Sequence, residues 1–180
     1  MYNSEKIIKF TEIDSTHKYL KNNYKDHEHG SVVIADTQTN GVGTKGRNWY
    51  TGKDNIAISI LYKPNFKINK LDGLTVKIAE TMQELIRELY DINLMIKEPN
   101  DLLINGKKVS GILTEINTIG EDINYLIISI GFNVNEINFP RNIENMATSL
   151  KKEFGNGEFN KELIIEKIIY KIEKLVANII

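Results

Sequence analysis

The chain has 180 residues, of which 41% are hydrophobic and 26% charged, which suits a globular protein with a full-sized core and excludes a disordered one. Lys+Arg 23 against Asp+Glu 24 gives a net charge of −1, so no basic surplus exists to neutralise a nucleic-acid backbone. Cysteine is absent, which excludes disulfides, thiolate nucleophiles and Cys-ligated metals.

Residues 1–6 lack the basic-then-apolar layout of a signal peptide, and no apolar run reaches the roughly 18 residues needed to span a bilayer. The expected location is the cytoplasm, with neither DNA nor membrane as a partner. No internal repeat, linker or domain boundary is visible, so residues 1–180 read as a single domain.

Residues 6–10 form the first strand candidate. A helical pattern follows through Tyr19, Leu20 and Asn23, and Asp14, Ser15 or Thr16 could cap it. Such a Ser-Thr pair is usually only a cap, yet a helix start is also where N–H groups converge on a ligand. Residues 30–35, Gly-Ser-Val-Val-Ile-Ala, read as a buried strand leading into a glycine-rich loop over 36–49.

Gly41, Gly43 and Gly46 match the dinucleotide fingerprint by letter and fail it by context, because that motif must open a helix. Here turn residues follow, and then a strand over 56–62. The P-loop pattern fails because Arg47-Asn48 replaces Lys and Ser/Thr, and the downstream kinase signatures are missing. A cationic glycine loop of this kind either folds over an anionic ligand, with Lys45 and Arg47 towards phosphate and Trp49 stacked on a base, or is simply a long hairpin loop.

Leu71, Leu74, Ile78, Met82, Leu85, Ile86 and Leu89 recur at helical spacing, predicting an amphipathic helix over about 69–90. A strand over 93–96 precedes the stretch 97–111, Lys-Glu-Pro-Asn-Asp-Leu-Leu-Ile-Asn-Gly-Lys-Lys-Val-Ser-Gly. Pro99 disfavours helix and starts something extended. Asn105-Gly106 between two apolar runs predicts a type I′ hairpin turn. Pairing would then run Ile104 with Lys107, Leu103 with Lys108, Leu102 with Val109 and Asp101 with Ser110. That register puts Asp101, Leu103, Lys108 and Ser110 on one face. A carboxylate able to hold Mg²⁺ and an ammonium able to hold an oxyanion would share a small patch, unless this is an ordinary solvated face.

Residues 125–134 read as a buried strand in which Gly131 either admits a ligand close to the backbone or marks a bulge. Residues 138–152 show no regular pattern, with a short helical turn or loop expected over 146–150. Leu163, Ile165, Ile168, Ile169, Ile172, Leu175 and Val176 define a second long amphipathic helix.

Four segments together resemble the catalytic domain of biotin protein ligases. They are Ile-Asp-Ser-Thr at 13–16, Ala-Asp-Thr-Gln-Thr-Asn-Gly at 35–41 through Gly-Arg-Asn-Trp at 46–49, the stretch 97–111, and Gly-Phe-Asn at 131–133. Order and spacing are similar over nearly the whole chain. The resemblance implies an α+β fold, a mixed sheet of about seven strands packed by helices, as in lipoate ligases and more distantly class II aminoacyl-tRNA synthetases. It implies that biotin is activated with ATP to biotinyl-5′-AMP and then transferred to a lysine of a biotin carboxyl carrier protein.

By position, the resemblance makes Lys108 and Asp101 the catalytic pair, with Asp101 on Mg²⁺. Ser15, Thr16, His17, Gln38, Gly41, Val42, Gly43, Thr44, Lys108 and Gly131 would bind biotin. Lys45, Arg47, Trp49, Lys97, Asn100 and Asn133 would bind ATP. The chain departs from the family pattern where Val42 and Thr44 replace the usual arginines, Glu98 a Trp, Ser129 a Gly and His17 an Asn. Val and Thr cannot make bidentate bonds to phosphate, so weaker ligand binding and a leakier adenylate are expected.

No helix-turn-helix precedes Ser15 and no small barrel follows the last helix, so a repressor role is not expected. Family members can pair through sheet edges near the glycine loop, so a homodimer is compatible with the resemblance. The alternatives are a ligase for lipoate or another small acid, and a catalytically silent biotin-binding module.

Overall fold

The computed structural model describes residues 6–65, 67–155 and 157–179; of the stretch 1–6, in which no signal-peptide layout is expected, residues 1–5 lie outside the described residues. Twelve elements follow in chain order: β1 (Ile7–Ile13), α1 (Thr16–Asn23), β2 (Ser31–Val42), β3 (Asn48–Thr51), β4 (Ile56–Tyr62), α2 (Leu74–Tyr90), β5 (Met95–Lys97), β6 (Asp101–Ile104), β7 (Lys107–Ile119), β8 (Asp122–Phe132), α3 (Leu150–Phe154) and α4 (Lys161–Ala177). The eight strands form one sheet in the order β1-β2-β4-β8-β7-β6-β5, with β3 paired to β2. β1 and β2 are parallel and every other pair is antiparallel, so the sheet is mixed as expected.

The strand beyond the expected seven comes from the glycine-rich stretch, which is paired rather than looped. β2 continues to Val42, a short 3-10 turn spans Thr44–Gly46, and β3 returns alongside, with the Gly43 N–H donating to the Arg47 carbonyl at 2.7 Å. Gly41 makes this possible. A side chain there would collide with the Trp49 carbonyl and the Gln38 amide.

Apolar residues sort by strand alternation onto two faces. Ile34, Ile58, Ile60, Ile128 and Ile130 meet Ile78, Met82 and Ile86 of α2 and Ile168 and Ile172 of α4 in the main core. The opposite face is thinner. There Leu20 of α1 covers Val33, Leu61, Tyr125 and Ile127. Because β4 is buried along its whole length, its sequence reads as one apolar run and conceals which face is which. Pairing reveals that Ala57 lies opposite Gly131, Ser59 opposite Ser129, and Gly111 opposite Gly131. Small side chains thus leave a depression on the α1 face.

Asn105 (φ 50°) and Gly106 (φ 78°) make the expected left-handed turn, and Ile104 pairs with Lys107 and Leu103 with Lys108. Beyond that the predicted register is corrected by one residue. Leu102 pairs with Ser110 and Asp101 with Gly111, leaving Val109 as a bulge. The cause is remote in sequence: the Lys108 N–H donates to the Met146 carbonyl at 2.8 Å, and the Thr148 N–H to the Lys108 carbonyl at 2.9 Å. Ser110 therefore turns away and its hydroxyl donates to the Gly131 carbonyl at 2.7 Å. Pro99 lies in the turn between β5 and β6 rather than starting the strand. No helix among the described residues is long and apolar enough to cross a membrane.

Candidate active site

Two clefts open on the α1 face and meet at Lys108 and Trp49, which line both together with Gln38, Gly43 and Thr44. The first has a free volume of only about 30 Å³, room for a water molecule, and Trp49, laid against Gly111 and Gly131, is among its lining residues. It brings together Ser15, Thr16, His17, Gln38, Val42, Gly43, Thr44, Asn100 and Gly131. The second gathers Gly41, Arg47, Asp101 and Asn133, with an outer wall of Phe139, Pro140, Ile143, Met146 and Ala147. That wall comes from the segment in which the sequence shows no pattern.

Two candidate residues are not brought to either cleft. Lys45 sits exposed on the turn between β2 and β3 with φ 57°, and Lys97 is exposed at the end of β5. Asn100 belongs to the first cleft rather than with Asp101 and Asn133, because its side-chain amide donates to the Ile112 carbonyl at 3.1 Å. Arg47 folds back on its own turn, donating to the Thr44 carbonyl at 3.2 Å and the Thr44 hydroxyl at 2.9 Å.

Trp49 is the floor where the clefts join. Its indole lies over Gly111 and Gly131, and a methyl group at either position would overlap the ring. The close approach that Gly131 allows is thus taken by the protein's own side chain. The Lys108 ammonium stands 5.3 Å from the indole centroid, a cation–π distance. It also stands 2.6 Å from Asp101 Oδ1, which is buried and makes no aligned hydrogen bond.

The inner wall is a chain of polar groups. Thr16 donates its N–H to Gln38 Oε1 at 2.9 Å, and its hydroxyl lies 2.8 Å from that of Ser59. Ser59 is 2.7 Å from the Ser129 hydroxyl, which is 2.9 Å from His17 Nδ1. His17 Nε2 is 3.0 Å from Glu115 on β7. Ser15 caps α1, its hydroxyl accepting the Lys18 N–H at 3.4 Å.

Burial opposes ionisation of Glu115, but hydrogen bonds from His17, Lys21 and Tyr125 outweigh it and hold the carboxyl below its ordinary value. Burial and the Glu115 carboxylate push the Tyr125 hydroxyl up to about 12.

Sequence reasoning missed Ser59 and Glu115. Ser59 had a signal, being the single polar residue within the buried run Ile56–Tyr62. Glu115 had none, since an acidic residue in a long strand reads as solvent-facing.

The oxygens of the second cleft suit a hard cation. Asp101 offers a carboxylate, and the buried Asn133 Oδ1 has no protein partner among the described residues. No group of three or more His, Asp or Glu side chains gathers among the described residues, so an ion here would depend on a ligand's phosphates for further oxygens.

The family model for the biotin/lipoate A/B protein ligase family matches residues 9–133. The bifunctional ligase/repressor BirA of Bacillus subtilis is 35% identical over 163 residues, covering 89% of this chain and 49% of that protein. The human biotin–protein ligase is 29% identical over 95% of this chain and 25% of its own length. Among solved structures, the biotin protein ligase of Aquifex aeolicus in complex with biotin and ATP superposes with a TM-score of 0.78 at 30% identity, over 93% of this chain and 68% of that one. The chain spans about half the length of the Bacillus relative.

Proposed function

Because the chain belongs to the biotin/lipoate A/B protein ligase family, we propose that it activates biotin with ATP to biotinyl-5′-AMP and transfers the biotinyl group to a lysine of a biotin carboxyl carrier domain. One observation carries this reading: a single ammonium, that of Lys108, stands where a small polar-walled cleft meets a larger one. Biotin would fill the first cleft once the Trp49 indole swings off Gly111 and Gly131, its ring against Thr16, His17, Gln38 and Ser129 and its carboxylate at Lys108. ATP would fill the second, beside Trp49, Arg47 and Asn133.

In the first step a biotin carboxylate oxygen bonds to the α-phosphorus as the bond to the bridging oxygen breaks, and pyrophosphate leaves. Two anions must approach each other, and Lys108 offsets that repulsion in a partly dehydrated site. In the second step the neutral amine of the acceptor lysine attacks the activated carbonyl. AMP departs, and the nitrogen loses a proton as the amide forms. Mg²⁺, held by Asp101 and Asn133 Oδ1, would neutralise phosphate charge. The polar wall of the first cleft favours a ring with hydrogen-bonding groups over a dithiolane, hence biotin over lipoate.

The test is ATP–pyrophosphate exchange with Mg²⁺, run with biotin and with lipoate, and with Lys108→Ala as the blank. Exchange with biotin alone, abolished by the substitution, is expected. Exchange driven by lipoate alone, or by neither acid, would overturn the proposal.

A further inference from the structure

We infer that Glu153 is a positioning residue for the adenylation step: its carboxylate clamps the tip of the β6–β7 hairpin to residues 146–148 and so fixes where the Lys108 ammonium stands. The inference rests on the reading of Lys108 as the group that offsets two meeting anions. Glu153 lines neither cleft and acts only through its neighbours.

Lys108 needs such support because of its place in the sheet. It follows the Asn105-Gly106 turn by two residues, and the end of a hairpin frays readily. On one flank it pairs with Leu103 of β6. On the other flank β8 does not reach it, since pairing of β7 with β8 begins at Ser110 and Phe132. An irregular segment takes the place of a strand there. Ala147 bridges to Lys108 in parallel, the Lys108 N–H donating to the Met146 carbonyl at 2.8 Å and the Thr148 N–H to the Lys108 carbonyl at 2.9 Å. Whatever holds residues 146–148 therefore holds the root of the Lys108 side chain.

Glu153, in α3, holds both pieces at once. Its Oε1 accepts the Thr148 hydroxyl at 2.5 Å, and its Oε2 accepts the Asn105 side-chain amide at 2.7 Å. Such short distances suit a charged acceptor. The same bonds, Thr148 foremost, hold the carboxyl below its ordinary value and keep it ionised at neutral pH. Thr148 is fully buried and Asn105 is exposed at the tip, so one carboxylate ties the interior segment to the turn, with Lys108 between them. The Thr148 carbonyl also accepts the Asn133 amide at 3.0 Å, so losing Glu153 loosens the segment without releasing it. A small tilt at the root of Lys108 is carried to its ammonium, and a displacement of about 1 Å at reacting groups costs up to about 10²-fold in rate. The ring contacts proposed for biotin, at Thr16, His17 and Gln38, lie on other elements and are left in place.

Biotin-dependent pyrophosphate exchange tests the clamp. Glu153→Ala removes both arms, so kcat should fall about tenfold while the KM for biotin stays within about twofold. Glu153→Gln keeps the shape: its oxygen can accept from Thr148, and its NH₂ can donate to the Asn105 oxygen once that amide turns over. Its kcat should stay within about threefold of native. Asn105→Gly cuts the tip arm alone, at a turn position whose φ of 50° suits glycine, so the fold is kept. It should lower kcat about threefold, and should lower it by less than about twofold when added to Glu153→Ala, because both cut one clamp. Where Glu153→Ala does not fold, Asn105→Gly decides by itself. Unchanged kcat in Asn105→Gly, equal losses in Glu153→Ala and Glu153→Gln, or a raised KM with kcat intact would overturn the inference and leave the ligase reading standing. Native protein without biotin-dependent exchange would overturn both.

Discussion

The Trp49 indole rests on the backbone of Gly131, so closely that a methyl group there would overlap the ring. Gly111 supports the other end of the same ring, and the indole N–H is buried without a partner among the described residues. Trp49 is the one tryptophan in the chain, so its fluorescence reports this junction directly.

Gly131→Ala should therefore push the indole off the sheet and into water. The emission maximum should move to the red, and overpacking should cost about 1–3 kcal/mol, seen as a lower melting temperature. An unchanged emission maximum would mean that the ring does not rest there.

Lys108→Ala should separate two roles of one side chain. It removes the charge at the cleft junction, so biotin-dependent exchange should fall by at least about 10²-fold. It also leaves the buried Asp101 Oδ1 without its cation, at a cost of about 1–3 kcal/mol in urea unfolding. Adding Asp101→Asn should restore much of the stability and none of the activity. Recovery of exchange in the double variant would refute the role of Lys108.

The Glu115 network should make stability depend on acid in a definite direction. Its carboxyl is held below the ordinary 4.5, so the folded state binds the proton less readily than the unfolded chain does. The stabilisation is complete above that ordinary value and is lost as the pH falls through the lowered one. Glu153, lowered mainly by the Thr148 hydroxyl and also by Asn105, acts in the same sense. Melting curves of Glu115→Gln and native protein should differ at pH 7 and converge in acid. A gap that widens in acid would contradict the assigned direction.

Val42 and Thr44 both line the first cleft, where neither can make a charge-assisted bond. The double substitution Val42→Arg with Thr44→Arg should tighten biotin binding by about tenfold, read by calorimetry. It also releases Arg47 from the Thr44 hydroxyl, 2.9 Å away. Unchanged or weaker binding would mean that this turn does not close over the ligand.

The sequence alone determined what local patterns carry. β4 is the apolar run 56–62 as read, α2 and α4 follow from helical periodicity, and Asn105-Gly106 is the left-handed turn that its residue types demand. Four motif segments placed most of the candidate residues around one pair of clefts. Each of these features is written in neighbouring residues, through backbone preference or a repeat of 2 or 3.6.

Tertiary structure decided the rest, because the partner in each case is distant along the chain. The bulge at Val109 exists because the Lys108 backbone pairs with Met146 and Thr148. The glycine stretch became a strand pair because Gly41 admits the Trp49 carbonyl, and the site floor is Trp49 laid across Gly111 and Gly131. His17 meets Glu115 although 98 positions separate them. A hydrogen bond between residues so far apart leaves no local signature in composition or periodicity. It appears only when the sheet has brought β7, β8 and the start of α1 onto one face.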